Sequence, residues 1–181
     1  MASLDGFSVL SRRRALKIAL GLMGGAVAGT GGGLLALRGL APDPKGLRCL
    51  SAHEYRTLTA LAVSLFPEGG AFAAGAASAD LARTFDGFLE GEPADRRADL
   101  SRALLLLEYG PVVFERRLHT FSHLSADERL AHFERWTTSD SLLRRQVALA
   151  FRKFLSIVFY DRPELWPDIG YVIAPFGGPN P

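Results

Sequence analysis

Cysteine is almost missing from these 181 residues; Cys49 is the only one. One thiol closes no disulfide within the chain. It also supplies no Cys-rich zinc site, no four-cysteine iron–sulfur site and no Cys-x-x-Cys-His haem attachment. A surplus of charge is missing too. The formal net charge is +2, and five of the 21 basic residues (Arg12, Arg13, Arg14, Lys17 and Arg38) stand in the first 40 positions against one acid, Asp5. The rest of the chain therefore holds 16 basic and 18 acidic residues. A near-neutral domain has no electrostatic footprint for nucleic acid, so no nucleic-acid partner is expected. Sustained period-two alternation is absent, which removes the signal for strands. There is no internal repeat. No Gly-x-Ser-x-Gly elbow occurs, and no Ser/His/acid constellation can be named for a hydrolase. The run Gly29-Thr30-Gly31-Gly32-Gly33 follows no predicted strand and lacks the spacing of a dinucleotide fingerprint.

What is present begins with Ser11-Arg12-Arg13-Arg14-Ala15-Leu16-Lys17, followed by the uncharged residues 18–37. Ser11, Arg12, Arg13, Leu16 and Lys17 match a twin-arginine export signal, Ser-Arg-Arg-x-Phe-Leu-Lys, with Ala15 in place of Phe. A basic stretch before a mildly hydrophobic one is a targeting segment and is set apart from the fold. The same residues also fit an ordinary membrane anchor: twenty uncharged residues are long enough to span a bilayer, with the basic cluster on the cytoplasmic side. A signal that is never cleaved is itself an anchor. The twin-arginine route carries folded proteins, which implies a cofactor loaded before export, in this chain or in a companion.

The expected organisation is a signal or anchor over residues 1–40, a linker over 41–50, a helical domain over 51–171 and an extended tail over 172–181. The linker rests on Pro42, Pro44 and Gly46. The roughly 140 residues left after the signal are long enough for one domain with a real core. Ser51-Ala52-His53-Glu54 and Ser125-Ala126-Asp127-Glu128 are capping boxes that start helices. Ser78 or Asp80 starts another, Pro93 suits the opening of a third, and that third helix is expected to stop near Gly110. A short helix is predicted over 112–119. The last helix, about 141–160, is apolar nearly all round and is expected at the centre of the packing. The small-residue loop over 71–77 is too apolar for a plain solvated linker. The fold class expected is all-α, a compact bundle of about six helices after an N-terminal signal or anchor helix.

Few residues carry candidate chemistry. Glu115, His119 and His123 fall at steps of four, as a metal-binding helix face needs, although Thr120, Ser122 and Ser125 argue against a helix there. Surface histidines near a helix end explain them as well. Arg116-Arg117 and Arg144-Arg145 can clamp an acidic partner surface or simply solvate helix faces. The segment from Tyr160 to Tyr171 is short, proline-punctuated and aromatic. It reads either as a cover on the core or as a partner-facing anchor, since Trp, Tyr and Arg dominate interface energies. Tyr160, Trp166, Ile169, Tyr171 and Phe176 are its candidate partner-binding residues. No catalytic or metal-binding residue is assigned.

Taken in order, these elements resemble the gluconate 2-dehydrogenase subunit 3 family, the small companions of glucose-methanol-choline type flavin dehydrogenases. The resemblance runs from the twin-arginine stretch through the Ser-x-x-Glu helix ending Leu65-Phe66-Pro67. It continues through Leu106-Leu107-Glu108 and Phe121-Ser122-His123-Leu124-Ser125 to Glu128-Arg129 and Trp136. It ends on Tyr160-Asp161-Arg162-Pro163-Glu164-Leu165-Trp166 and Ile169-Gly170-Tyr171, the most specific piece. The resemblance implies a non-catalytic accessory subunit without a cofactor of its own. It implies a large flavin dehydrogenase subunit as partner, holding FAD and oxidising a sugar or alcohol, with electrons often passing to a cytochrome c subunit. It further implies that the small subunit helps the large one mature and supplies the export signal for both through the twin-arginine translocase. The expected location is periplasmic or periplasm-facing, membrane-anchored if the signal stays. The other class of function is a free-standing, membrane-tethered helical interaction domain.

Overall fold

Ser51 opens the first helix. In the computed structural model, which describes residues 45–72, 74–77 and 79–171, the Glu54 N–H donates to Ser51 Oγ at 3.3 Å and the Ser51 N–H donates to the Glu54 carboxylate at 2.7 Å. Two amides with no partner inside the helix are thus satisfied reciprocally, and α1 spans Ala52–Leu65. Asp80 caps α2, Leu81–Leu89, from a left-handed backbone conformation, its carboxylate accepting from the Arg83 N–H. α3, Ala94–Glu115, follows Pro93. Ser125 and Glu128 form the second capping box, at the start of α4, Ala126–Thr137. α5 spans Leu142–Tyr160. Single 3₁₀ turns stand at Phe121–His123 and Pro163–Leu165. Among the described residues there are five α-helices and no strand; the chain is all-α. None of these helices is long and apolar enough to cross a membrane. Ser11, Arg12, Arg13, Leu16, Lys17, the uncharged stretch 18–37, Phe176 and the tail 172–181 lie outside the described residues.

Two helix readings are corrected. The third helix does not stop near Gly110, and residues 112–119 do not form a helix of their own. α3 runs through Gly110 and Pro111, both buried, to Glu115. A proline inside a helix forfeits one hydrogen bond, but its fixed φ remains helical, and here burial outweighs the lost bond. Gly110 has a packing reason: a Cβ there would stand 2.5 Å from Trp136 Cζ2 and 3.0 Å from His132 Nε2. Its missing side chain lets α4 approach α3. The helix closes at Arg116, whose backbone is left-handed with φ 54° and whose N–H bonds Pro111 O.

The central helix is α1 rather than α5. It packs against α2, α3, α4 and the first 3₁₀ turn, whereas α5 packs mainly on α4 and α2. α5 buries Val147, Ala148, Phe151, Phe154, Leu155, Val158 and Phe159 on one side and leaves Leu142 and Leu149 more than half exposed on the other. Its composition overstates its burial.

The loop after α1 packs, as its composition requires. Phe66 stacks on Phe159 at 4.4 Å, and Phe72 meets Tyr160 edge-on at 5.9 Å. Before α1, the carboxylate of buried Asp86 accepts the N–H groups of Arg48, Cys49 and Leu50 at 2.7, 2.9 and 2.7 Å. Burial alone would raise its pKa; those three donors, led by Arg48, hold it below the usual carboxylate range. The end of the stretch read as a linker is therefore tied into the fold, with Leu50 in the core.

Candidate partner-binding site

The aromatic C-terminal segment is a compact turn. After Tyr160, Pro163 starts the second 3₁₀ turn at its first position, where a missing N–H costs nothing. Leu165, next along, is sealed in the core at 2 % exposure. The turn ends in a Schellman pattern: the Tyr171 N–H bonds Trp166 O at 2.8 Å and the Gly170 N–H bonds Pro167 O at 3.2 Å. That pattern needs a left-handed residue, and Gly170 supplies it at φ 69°. The hydrophobic contact that accompanies the motif is Trp166 against Tyr171, ring centroids 5.3 Å apart and 67° between planes. Trp166 Nε1 donates to Tyr160 O at 3.1 Å, so the indole closes the end of α5. Arg162 lies 5.7 Å from the Phe159 ring centre and pairs with Glu164 at 2.6 Å.

Backbone bonds close the turn, and Leu165 is its plug. Trp166 is half-buried, while Tyr160, Ile169 and Tyr171 are exposed. Four of the five candidate partner-binding residues thus lie together, Tyr160 as the last residue of α5 and Trp166, Ile169 and Tyr171 on the turn after it, part cover and part open surface.

The other candidates fare differently. α3 ends at Glu115, so Glu115, His119 and His123 share no helix face. His119 is exposed, and His123 Nδ1 bonds Thr120 Oγ1 at 3.0 Å. Among the described residues no group of three potential metal ligands converges. Arg117 is not free to clamp a partner: it bonds Glu115 at 3.1 Å and Glu128 at 2.6 Å. Arg144 lies over the Phe114 ring at 5.0 Å, and Arg145 donates to Ser139 O.

Sequence reasoning missed two buried polar clusters. Glu108, 1 % exposed, accepts from Thr57 Oγ1 at 2.9 Å and from the Ser122 N–H and hydroxyl at 3.1 and 2.7 Å. It pins the first 3₁₀ turn to α1 and α3. Glu115 accepts from Arg135 at 3.1 and 2.6 Å and bonds His132 Nδ1 at 2.6 Å. Burial pushes the His132 pKa down, against the pull of Glu115. Burial works to raise Glu115, but Arg135 and His132 hold it low. The imidazole directs its other nitrogen towards Gly110. Both clusters join elements distant in sequence, which no local spacing announces. Trp136, fully buried beside His132, completes this seam.

A cleft of about 240 Å³ opens between α1 and α3, lined in part by Ser51, Glu54, Thr57 and Arg102. Ser51 and Glu54 belong to the capping box, the Ser51 hydroxyl donating to Glu54 at 2.7 Å, while Thr57 bonds Glu108 and Arg102 pairs with Asp99; His53 and Ser101 also line the cleft. No family model, curated protein or solved structure matches the chain.

Proposed function

We propose that this chain is the non-catalytic small subunit of an exported FAD-dependent sugar or alcohol dehydrogenase, assisting maturation and twin-arginine export of the catalytic subunit. The observation that carries the reading is the Tyr160–Tyr171 turn. The residues on which the family resemblance is most specific are held in a defined shape and still present Tyr160, Ile169 and Tyr171 to solvent. An aromatic cluster at the surface supports a partner role. The stretch from Ser11 to Lys17 supports the export role. On this reading FAD sits in the large subunit, a cytochrome c subunit can follow it, and the chain is periplasmic or periplasm-facing.

The test is to tag the full chain in its native host and purify it together with any large flavoprotein subunit that it retains. The two are expected to co-purify, with flavin in the large subunit alone. Arg12→Lys with Arg13→Lys is expected to strand both in the cytoplasm, because planar, bidentate guanidinium recognition is not reproduced by lysine. Normal export of the double variant removes the export role. One flavin per isolated small subunit removes the accessory role.

A further inference from the structure

α5 carries more hydrocarbon than the core uses. At about 3.6 residues per turn, Leu142, Leu149, Ile157 and Tyr160 fall within an arc of about 80°, opposite the buried face, along about 27 Å of helix. Their exposures are 55, 55, 36 and 40 %. The stripe ends at Tyr160, whose carbonyl receives the Trp166 indole, so it is continuous with the C-terminal turn. α5 also has four cations, Arg144, Arg145, Arg152 and Lys153, and no acid. Arg152 is paired with Glu134. Lys153 lies in the middle of the stripe, exposed, with no carboxylate partner among the described residues.

We propose that the outer stripe of α5 is a docking face for a protein partner whose facing surface is apolar and bordered by carboxylates. This rests on the accessory-subunit reading, in which that partner is the large flavoprotein subunit. Three arguments choose this occupant. A standard interface takes about 800 Å² from each side, more than the C-terminal turn presents; the stripe extends it. A second copy would set Lys153 of one stripe towards Lys153 of the other, and like charges in an interface repel. An anionic lipid surface favours an apolar face flanked by several free cations, whereas here Arg152 is paired with Glu134 and Arg145 is bonded to Ser139 O.

The experiment uses the full chain, tagged and purified from its native host, with the flavin absorbance that it retains as the readout. Leu149→Glu with Ile157→Glu is expected to weaken retention at least tenfold with an unchanged melting temperature. Lys153→Glu, which leaves the apolar row intact, is expected to weaken it several-fold and to flatten its salt dependence. Full retention by both variants overturns this docking face while leaving the accessory reading intact. If the wild type retains no flavoprotein, the accessory reading fails and the docking face with it. Binding of the wild type to phosphatidylglycerol vesicles, or dimerisation on sedimentation, lost in the double variant, would assign the face to lipid or to a second copy and overturn the proposal. In a Cys49→Ser background, Leu149→Cys should react with a maleimide in the free chain and be shielded in the complex. Shielding in the free chain would mean that the chain covers this face itself, which also overturns the proposal.

Discussion

The seam between α3 and α4 and the outer side of α5 invert each other's chemistry. At the seam a histidine and the aromatic ring of Trp136 are fully buried, and Glu115 is drawn in beside them. On α5 leucines and an isoleucine face water. The seam contradicts its polarity because every charge there has a near neighbour: Glu115 is shared by Arg117, Arg135 and His132. Burying a charge is tolerable when it is paired and hydrogen-bonded. The outer side of α5 contradicts its polarity because the core has only one side of a helix to fill. The lesson is that a buried polar group with partners is explained within the fold, whereas an exposed apolar row is explained only by something outside it.

The sharpest way to break the seam is at its closest approach. Gly110→Val would place a branched side chain where even a Cβ meets Trp136 Cζ2 at 2.5 Å. A loss of about 3 kcal/mol is expected from overpacking, a drop of roughly 10 °C in melting temperature, while the matched change Leu149→Val on α5 should move it little. An unchanged midpoint for Gly110→Val would mean that α4 can shift away and that the seam is not tight.

Removing the shared acid is expected to cost somewhat less. Glu115→Ala leaves His132 Nδ1 buried without its partner, a penalty of about 2 kcal/mol. Urea unfolding measures it, and the deficit should be largely absent in a His132→Phe background. Equal losses in both backgrounds would show that the acid acts through Arg135 and Arg117 rather than through His132.

Acid tests the same contact more gently. Burial holds the folded-state pKa of His132 below its ordinary value of about 6.5. The unfolded chain therefore binds this proton first as pH falls. The stability linked to it is fully present above about pH 6.5 and declines below, down to the lower folded value. Glu115 is shifted down as well, so its contribution is lost separately, at pH below the usual glutamate range. Melting temperature should fall between pH 7 and pH 5 in the wild type and stay flatter in His132→Phe. Superimposable profiles would remove His132 as the cause.

The smallest effect on stability is expected at the exposed end of α5. Tyr171→Ala should change stability by less than about 1 kcal/mol, since the ring is 56 % exposed and its ring contact among the described residues is with Trp166. Truncation of an interface anchor typically costs about 2 kcal/mol of binding, so capture of the large subunit should fall about thirtyfold. Collapse of the melting temperature would make Tyr171 part of the cover instead. Leu165→Ala is the contrast: its side chain is buried, and about 2–5 kcal/mol should be lost.

Much of the helical outline was legible in the sequence, because caps and apolar periodicity act over four or five residues. Ser51 with Glu54 and Ser125 with Glu128 are local pairs and stand where their spacing put them. Gly110-Pro111 misled for a physical reason: locally it breaks helices, while its burial against Trp136 and His132 is a tertiary fact. The C-terminal motif was visible as composition, but not as a Schellman turn with Leu165 inward and Tyr171 outward. The stripe on α5 had a signal, since the helix holds more apolar residues than one face requires. The sequence suggested only that such a helix is buried all round.

The amino-acid sequence by itself determined that the chain is helical, where four of its helices begin, that it lacks the cysteines for disulfide and cluster chemistry, and that Ser11–Lys17 has the form of an export signal. These follow from local rules: hydrogen bonds within a turn, the step of a helix, the identity of a residue. The tertiary structure alone decided that α1 is central, that α3 passes through Pro111, that Glu108 and Asp86 serve as buried ties and Glu115 as a half-buried one, and that one side of α5 remains open. Each of these depends on contacts between residues 14 to 51 positions apart, and such contacts form only when the packing of the whole chain sets what is buried and what is left to water.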